Sequence, residues 1–596
     1  MKRIFIFLFA TLALSYVQAQ TSGKCGDNLT WSLDEGTGVL TIAGEGAMYN
    51  YAFSSNSRAP WYSIWESIKE VKITGSPTNI GNYAFLYCSN LISIEIPESV
   101  TSIGGSAFYD CTSLTSVTIP SGVTSFGSAA FYNCTSLASI TIPFGVTSIG
   151  SSAFQNCKSF RNIEIPSSVT SIGSSAFPSC TSISSIISNI PADKLCVPGS
   201  SAFYNIDKEK CILAVPAGAK STYAATAEWK DFTNIVEYNG KCGSNLYWSF
   251  NSTTGMLYIL GSGSMYNYND GDNLAPWNSY KTKIKSVVIK SDVTGIGSYA
   301  FLGCSSLCSI ISEAPSAIVC GSNAFDGVSN CVLAVPSGLK SAFSAASEWK
   351  NLSTIVEYNG KCGLNLYWSI DTSGTFYIMG YGAMYNYSNN TAIPPFLPWY
   401  YSRTSIKDVR FCGNITSLGQ RAFLGCSSLT SVTIPSGVTS IGDYAFSGCT
   451  SLTSVSIPSS VTILGNDAFS NCTSFTSVTI PSGVTSIGNR AFSCTSLTSV
   501  TIPSGVTSIG QSAFSNCMSL SSIISNIPSD KLFVPGSSAF YNIDKAACTL
   551  YVSAGAKSTY AATALWKDFT NIVEYDGKCG SNLYWSFNNT TVQPEM

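Results

Sequence analysis

Cysteine is the residue whose number and spacing most strongly suggest chemistry in this chain. The sequence contains 22 cysteines, and Cys88, Cys111, Cys134, Cys157 and Cys180 follow one another at intervals of 23 residues. Zinc and redox motifs need closely spaced ligands, and the sequence has no histidine, which also removes Cys-His and Ser-His-Asp mechanisms. We therefore expect buried structural thiols, with stacked disulfides as the alternative if the chain is exported.

Two cysteine pairs outside this row are better candidates for disulfides. They are Cys196 with Cys211 and Cys320 with Cys331, each within one short segment of the chain. In the third copy of that segment Phe533 replaces the first cysteine while Cys548 remains, which weakens the expectation that the two cysteines of each segment form a disulfide.

Two other motifs could carry chemistry but are better explained by loops. Asp34 and Glu35 could serve glycoside hydrolysis only if two carboxyl groups faced each other across a cleft, so we interpret them as solvated loop residues. Gly44-x-Gly46 lacks the third glycine and the helix of a dinucleotide site, and we interpret it as a hairpin turn. The sequence thus predicts no catalytic, cofactor or metal site, and no enzymatic activity.

An aromatic cluster recurs in the chain. Its first copy contains Tyr49, Tyr51 and Trp61, and related clusters surround Trp277 and Trp399. Such rings could stack on sugars or anchor an interface, but packing in the core of a cap is the favoured interpretation.

A short repeat supplies the elements that must position these residues. In one copy Leu114, Val117 and Ile119 indicate a short strand, and Pro120 begins a turn. A second extended piece follows at 123–126, and the Ala-Phe-x-x-Cys stretch after it predicts a compact helical or 3₁₀ turn. Because one such unit cannot bury its apolar side alone, neighbouring units must stack, and the fold class is a β-rich repeat solenoid with 23-residue coils.

A longer repeat encloses the coils. The string Lys-Cys-Gly-x-Asn-Leu-x-Trp-Ser occurs at Cys25, Cys242, Cys362 and Cys579, with separations of 217, 120 and 217 residues. This predicts three tandem modules, each with a β-hairpin opener and a strand-helix closer, the helix lying around Tyr223 to Trp229 in the first. The expected segments are a signal peptide at 1–19, an opener at 20–75, a repeat block at 76–185, a closer at 186–240, a short module with about one regular repeat at 241–360, an opener at 361–411, a second block at 412–522, a closer at 523–577 and a truncated fourth opener at 578–596.

The composition bounds the location and the partners. Residues 1–19 have the charge, apolar core and small-residue order of a secretory signal peptide, and no later run is long enough to cross a membrane. Charged residues make up 11% of the chain and the net charge is −2, so no basic surface for nucleic acid or anionic membrane exists. We expect a secreted or cell-surface protein without membrane insertion.

The repeat resembles that of a known family. The stretch Leu-Thr-Ser-Val-Thr-Ile-Pro-Ser-Gly-Val-Thr-Ser-Ile-Gly-x-x-Ala-Phe-x-x-Cys, from Leu429 to Cys449, is similar to BspA-like leucine-rich repeats, as are both long repeat blocks. The resemblance implies a leucine-rich-repeat solenoid on a cell surface, acting as an adhesin or in host interaction. Larger family members often add a C-terminal sorting or anchoring region, whereas this sequence stops inside a module opener.

The strand face of the solenoid is the expected binding surface. Stacked coils should align their outward residues into a broad sheet, and the candidate residues are Thr115, Ser116, Thr118, Ser139, Thr141, Arg161, Asn162, Glu164, Thr430, Ser431 and Thr433. The first hypothesis is an adhesin whose partner is an extracellular protein or glycan. The second is a structural surface spacer that self-associates. An ice- or crystal-binding array is a third, against which the irregular replacement of threonine argues.

Overall fold

The structure is a computed structural model that describes residues 21–54, 57–388, 396–493, 496–578 and 584–585. The chain divides into two compact units, unit 1 ending at Tyr238 and unit 2 beginning at Asn239. The predicted signal peptide, residues 1–19, lies outside the described residues, as does most of the predicted fourth opener.

Each coil is a flattened turn of a β-solenoid, as the sequence predicted. In the coil that begins at Leu114, the strand Ser116–Thr118 buries only its central Val117. A proline turn leads to the second strand, Ser125–Phe126, whose phenylalanine is buried. The remaining Ala-Phe-x-x-Cys stretch is not a helix but a run of turns, because Ala129 and Asn133 both have left-handed backbone conformations, with φ of +55° and +56°.

Parallel pairing joins successive coils. Ser125 and Phe126 pair with Ser148 and Ile149 of the next coil. The turns are also linked, since the N–H of Phe131 donates to the carbonyl oxygen of Ala153 at 2.8 Å. Each coil therefore satisfies its backbone groups mainly through its neighbours, as expected of a one-dimensional array.

A row of stacked phenylalanine rings forms the core of unit 1. Phe108 and Phe131 lie 5.0 Å apart between ring centroids, with planes 7° apart, and Phe131 and Phe154 lie 5.5 Å apart at 2°. Trp61 stacks on the first ring of the row and Trp229 lies against the last. The ladder therefore ends in tryptophan on both sides, which closes the apolar interior.

The bounds of the elements of unit 1 are as follows. The strands are Ser22–Lys24, Leu29–Asp34, Val39–Gly46, Glu70–Ile73, Ser76–Pro77, Asn79–Ile80, Ser93–Glu95, Ser102–Ile103, Ser116–Thr118, Ser125–Phe126, Ser148–Ile149, Asn162–Ile165, Ser171–Ile172, Ser185–Ser188, Ile212–Val215 and Asn234–Glu237. The helices are the 3₁₀ turns Tyr62–Ser67 and Ala192–Lys194 and the α-helix Lys220–Ala225.

The bounds of the elements of unit 2 follow the same order. The strands are Gly240–Asn251, Met256–Met265, Ser286–Ile289, Val293–Ile296, Ser309–Ser312, Val319–Cys320, Val332–Val335, Thr354–Glu357, Gly360–Ile370, Thr375–Met384, Asp408–Leu418, Ser431–Thr433, Ser440–Ile441, Ser454–Ser456, Ile463–Leu464, Ser477–Thr479, Ser486–Ile487, Ser499–Ile502, Ser508–Ile509, Ser522–Ser525, Thr549–Ser553, Asn571–Tyr575, Gly577–Lys578 and Tyr584–Trp585. The helices are the 3₁₀ turns Asn278–Tyr280, Trp349–Asn351, Tyr400–Ser405 and Ser529–Lys531 and the α-helices Lys340–Ala345 and Lys557–Ala562.

The hairpins predicted at the module openers are present. Leu29–Asp34 pairs antiparallel with Val39–Gly46, and a third strand, Glu70–Ile73, then joins in parallel. The closer helix is shorter than predicted, because it ends at Ala225 and Trp229 follows it in a turn.

The middle module contains two stacked phenylalanine rings, although the sequence predicted only about one regular repeat there. Phe301 and Phe325 stack at 5.5 Å with planes 2° apart, between Trp277 and Trp349. The second ring belongs to the closer, which adds one rung to the coil block. The same holds in unit 1, where Phe203 of the closer stacks on Phe177.

The strand face is not one broad sheet. In unit 1 the strand Ser116–Thr118 ends one ladder and Asn162–Ile165 begins the next. Residues 137–143 lie between them, and although the structure describes these residues they form no strand. The prediction of a continuous sheet was therefore wrong, and the face consists of separate ladders.

Candidate binding surfaces

The strand face of unit 1 presents the polar side chains that the repeat predicted. Thr115, Ser116, Thr118, Ser139 and Thr141 are all exposed. The Thr115 hydroxyl donates to the carbonyl oxygen of Ile92 in the preceding coil, at 3.3 Å. Its hydroxyl oxygen still has acceptor capacity, so the face is a surface of small polar groups.

The interruption of this face at Arg161, Asn162 and Glu164 is less accessible than expected. Arg161 is exposed, whereas Asn162 is only 8% exposed. Glu164 is half-buried and accepts a hydrogen bond of 2.8 Å from the side-chain amide of Asn189, which itself accepts one from the Tyr238 hydroxyl. Asn162 was thus wrongly included among surface residues, because it lies in a strand of which three of the four residues are buried.

The strand face of the second long block has the same character. Thr430, Ser431 and Thr433 are exposed, and Ser431 pairs in register with Ser454 of the next coil. The hydroxyl of Thr453 donates to the carbonyl oxygen of Thr430 at 3.0 Å. Hydroxyl groups therefore follow one another at the coil spacing in unit 2, as in unit 1.

The cysteine row is internal. The Cys111 thiol donates to the carbonyl oxygen of Phe85 and the Cys134 thiol to that of Phe108, both at 3.2 Å. Burial raises the pKa of Cys111 well above its ordinary value, which suppresses the reactive thiolate. Cys88, Cys111, Cys134, Cys157 and Cys180 are all free and buried, so the expectation of structural thiols in this row holds.

The two closer pairs are likewise unbridged. Cys196, Cys320 and Cys331 are free thiols, so neither pair is bridged and their assignment as disulfide candidates was wrong. In the first closer the carbonyl oxygen of Cys196 accepts a hydrogen bond from the Trp229 indole at 3.1 Å. The segment is held by tryptophan packing.

The recurring aromatic cluster belongs to the cap. Trp61 is 1% exposed, and its indole N–H donates to the carbonyl oxygen of Ala84 at 2.7 Å. Tyr51 packs edge-on against it at 6.0 Å. Tyr49 is exposed and its hydroxyl donates to Asp27. The cap interpretation is confirmed for the buried rings, while the first tyrosine of the cluster lies at the surface.

The first carboxylate pair forms part of a turn. Asp34 Oδ1 accepts the backbone N–H of Gly36 at 2.9 Å, and the pKa of Asp34 is lowered by hydrogen bonds from the side chain of Thr37 and from the turn backbone. The adjacent Glu35 is exposed. Within the described part of the chain, no group of three or more histidine, cysteine, aspartate or glutamate side chains could hold a metal ion. A search of the same residues also found no helix with the length and apolarity to span a membrane.

A buried ion pair lies inside unit 2. Lys290 Nζ is 2.5 Å from Glu313 Oε2, and the Tyr367 hydroxyl donates to the other carboxylate oxygen. Burial alone would raise the pKa of Glu313, but Lys290, Lys361 and these hydrogen bonds lower it below the ordinary value. The second and third modules are therefore joined by a charged contact, since Tyr367 belongs to the third opener.

Two further rows at the turns were not foreseen from the sequence. In unit 1 the half-buried Tyr109 and Tyr132 stack at 4.4 Å, where unit 2 has the buried Ser447 and Ser470. In unit 2, amide and carboxylate side chains follow the glycine of successive coils, as at Asn466. Both rows could have been found by comparing the two long blocks position by position.

The comparisons with known proteins identify the repeat. The family model described as "BspA type Leucine rich repeat region (6 copies)" matches residues 78–210, 279–360 and 416–547, which is more than half of the chain. The protein therefore belongs to the BspA-type leucine-rich-repeat family. No curated protein matches.

Several solved structures are similar to this chain. A leucine-rich repeat protein from Bacteroides ovatus is 21% identical, with 84% of this chain and 93% of that one covered and a TM-score of 0.26. One from Eubacterium ventriosum is also 21% identical, with 79% and 94% covered and a TM-score of 0.23. A leucine rich cell surface protein from Faecalibacterium prausnitzii is 21% identical, with 86% and 97% covered and a TM-score of 0.20.

Proposed function

We propose that this protein is exported to the cell surface or beyond, where it acts as a non-enzymatic adhesin that binds an extracellular protein or glycan through its outward rows. One observation carries the proposal. The two long coil blocks share their interior, with Phe154 and Phe492 in equivalent stacked positions, but differ outside, where the exposed Ser151 corresponds to the exposed Asn489. The exposed rows are therefore free to serve recognition, because the fold is maintained by the interior rows.

The character of the surface supports large-area binding. Charged residues are few, so affinity would come from many small hydroxyl and amide contacts with half-buried aromatic anchors. The signal-like residues 1–19 support export. A solenoid also suits this role because its stacked coils repeat the same outward positions many times.

The test is binding of the purified chain to immobilised matrix proteins, to glycans and to itself. A face variant replaces exposed strand residues with lysine, at Thr118, Thr141 and Thr433. A matched control variant carries the same number of lysines at exposed turn positions, at Phe144, Ser482 and Ser504.

Saturable binding to a protein or glycan that the face variant loses and the control variant keeps is the expected result. Binding only to itself would favour the structural spacer instead. Binding that both variants retain would exclude the strand face as the binding surface. No binding to any partner would contradict the adhesin proposal.

A further inference from the structure

The residue after the glycine of each coil distinguishes the two long blocks. In the second long block, which lies in unit 2, these residues carry carboxylate or amide groups, whereas in the long block of unit 1 they are glycine or serine after the first coil. The unit 2 residues are Asp443, Asn466, Asn489 and Gln511, and those of unit 1 are Gly105, Ser128, Ser151 and Ser174.

The side chains of this row in unit 2 have a fixed orientation. The backbone N–H of Asn489 donates to Asn466 Oδ1 at 2.8 Å, and that of Gln511 donates to Asn489 Oδ1 at 2.7 Å. The backbone N–H of Asn466 donates in the same way to Asp443 Oδ1. Because Oδ1 of Asn466 and Oδ1 of Asn489 are used in these bonds, their two Nδ2 groups remain as donors, one in each of two successive coils and about 4.8 Å apart.

The fold does not require these amides. Ser128 and Ser151 occupy the equivalent places in unit 1, and the phenylalanine rings of those coils stack as closely as in unit 2. The amide is used structurally at the first coil of unit 1, where Asn82 Oδ1 accepts the N–H of Gly105. Its continuation along unit 2 adds a chemical surface that unit 1 does not have.

A second row, one residue further along each coil, lines the same groove as the amides. Arg490 donates to the buried carboxylate of Asp467 from Nε and Nη2, at 3.2 and 3.0 Å. The Arg421 guanidinium lies 5.0 Å from the centroid of the Tyr444 ring. The opposite charges of Arg490 and Asp467 thus pair with each other, and Tyr444 adds an aromatic ring to the lining of the groove.

The groove has a volume of about 380 Å³ and is lined by Tyr444, Asn466, Asp467, Asn489 and Arg490, with Gln511 near one end. Almost all of its lining groups are polar, which does not suit an apolar peptide. Its two opposite charges pair with one another, which does not suit a strongly charged ligand. Amide groups, together with the Asp467 carboxylate that Arg490 fixes in place, can hydrogen-bond hydroxyl groups, since each hydroxyl both donates and accepts.

We propose that this groove, the amide groove, binds a neutral, hydroxyl-rich glycan chain along the solenoid axis. Successive sugar rings meet successive amide donors because a pyranose unit of an extended chain has a length similar to the coil spacing. This inference rests on the proposed binding function and names the ligand class and the place. At the equivalent positions of unit 1, Ser128 and Ser151 carry no amide group.

The test uses the intact chain and neutral oligosaccharides, the hexamers of glucose, mannose and N-acetylglucosamine, in isothermal titration. A donor variant, Asn466→Asp with Asn489→Asp, keeps the oxygen that accepts the next backbone N–H but removes the amide donors; Asp443 already fills that role with a carboxylate. The matched control introduces aspartate at the equivalent positions of unit 1, Ser128→Asp with Ser151→Asp. A second variant, Asn466→Ser with Asn489→Ser, introduces the residues that unit 1 carries.

We expect at least one neutral hexamer to bind, with affinity weakened about tenfold or more in both unit 2 variants and unchanged in the control. Equal affinity in all variants would overturn the inference. So would binding of heparin alone, lost on addition of salt. If the chain binds a protein partner through its strand face but no neutral hexamer, the amide groove is refuted while the adhesin function stands; binding to nothing refutes both.

Discussion

Replacing Phe131 with alanine tests whether the ring ladder maintains the fold. Phe131 is fully buried and stacks on Phe108 and Phe154 at 5.0 and 5.5 Å. Removing a buried phenylalanine side chain costs about 3–5 kcal/mol, and the loss of two stacked contacts places this substitution in the upper part of that range. Because the array is one-dimensional, the loss should be largest in the coils that contact the substituted ring.

Hydrogen exchange measured peptide by peptide is the suitable assay, since a chain of two units need not unfold in one step. Amides of the coils around Phe131 should exchange about a hundredfold faster or more, while those of unit 2 stay unchanged. Phe144→Ala is the control, because Phe144 is 75% exposed and its loss should change stability by less than about 0.5 kcal/mol. Equal exchange in the two variants would refute the ladder as the core of unit 1.

The remaining predictions concern charge, thiols and the cap. The Glu313 carboxyl has a lowered pKa in the folded chain, so its stabilising effect should be complete above about pH 4.3 and lost as the pH falls through the folded pKa. Glu313→Gln should lower the free energy of unfolding of unit 2 by about 3–5 kcal/mol, measured in urea at pH 7, and remove this dependence on acid pH. An unchanged urea midpoint would contradict the role of the ion pair with Lys290. Cys111 should resist iodoacetamide at pH 8 until the chain is denatured, as followed by peptide mass spectrometry, because burial raises its pKa; rapid native labelling would contradict the buried row. Trp61→Phe should lower the unfolding free energy of unit 1 by about 1–3 kcal/mol in the same denaturation assay, since the indole bond to the Ala84 carbonyl is lost in a buried site, and no change would exclude that bond as a support of the cap.

The periodic features of the fold could be predicted from the sequence. An interval of 23 residues between Ala-Phe dipeptides is enough to place Phe131 inside a coil and Cys134 beside it, because stacked coils bring equivalent positions together. The rung at Phe203 was missed because the closer changes the interval, although its Ala-Phe dipeptide is visible in the sequence. The end of the closer helix at Ala225 was also missed, since Trp229 is placed by its contact with that rung.

The surface could be predicted less well than the interior. Outward positions such as Thr118 follow from strand alternation, but the burial of Asn162 depends on packing that alternation does not describe. The amide row at Asn466 and Asn489 went unnoticed because the strand face, not the turn face, was expected to bind. Its signal is the difference between equivalent positions of the two blocks, which becomes informative only when the turns are known to face solvent.

The central claim, that the outward rows bind an extracellular partner, is tested most directly by titrating the labelled intact chain onto whole host or neighbouring cells. The account predicts saturable binding that unlabelled chain competes away, that the lysine face variant or the amide-groove donor variant loses, and that their matched controls keep. Binding that does not saturate, or that both controls lose equally, would contradict it.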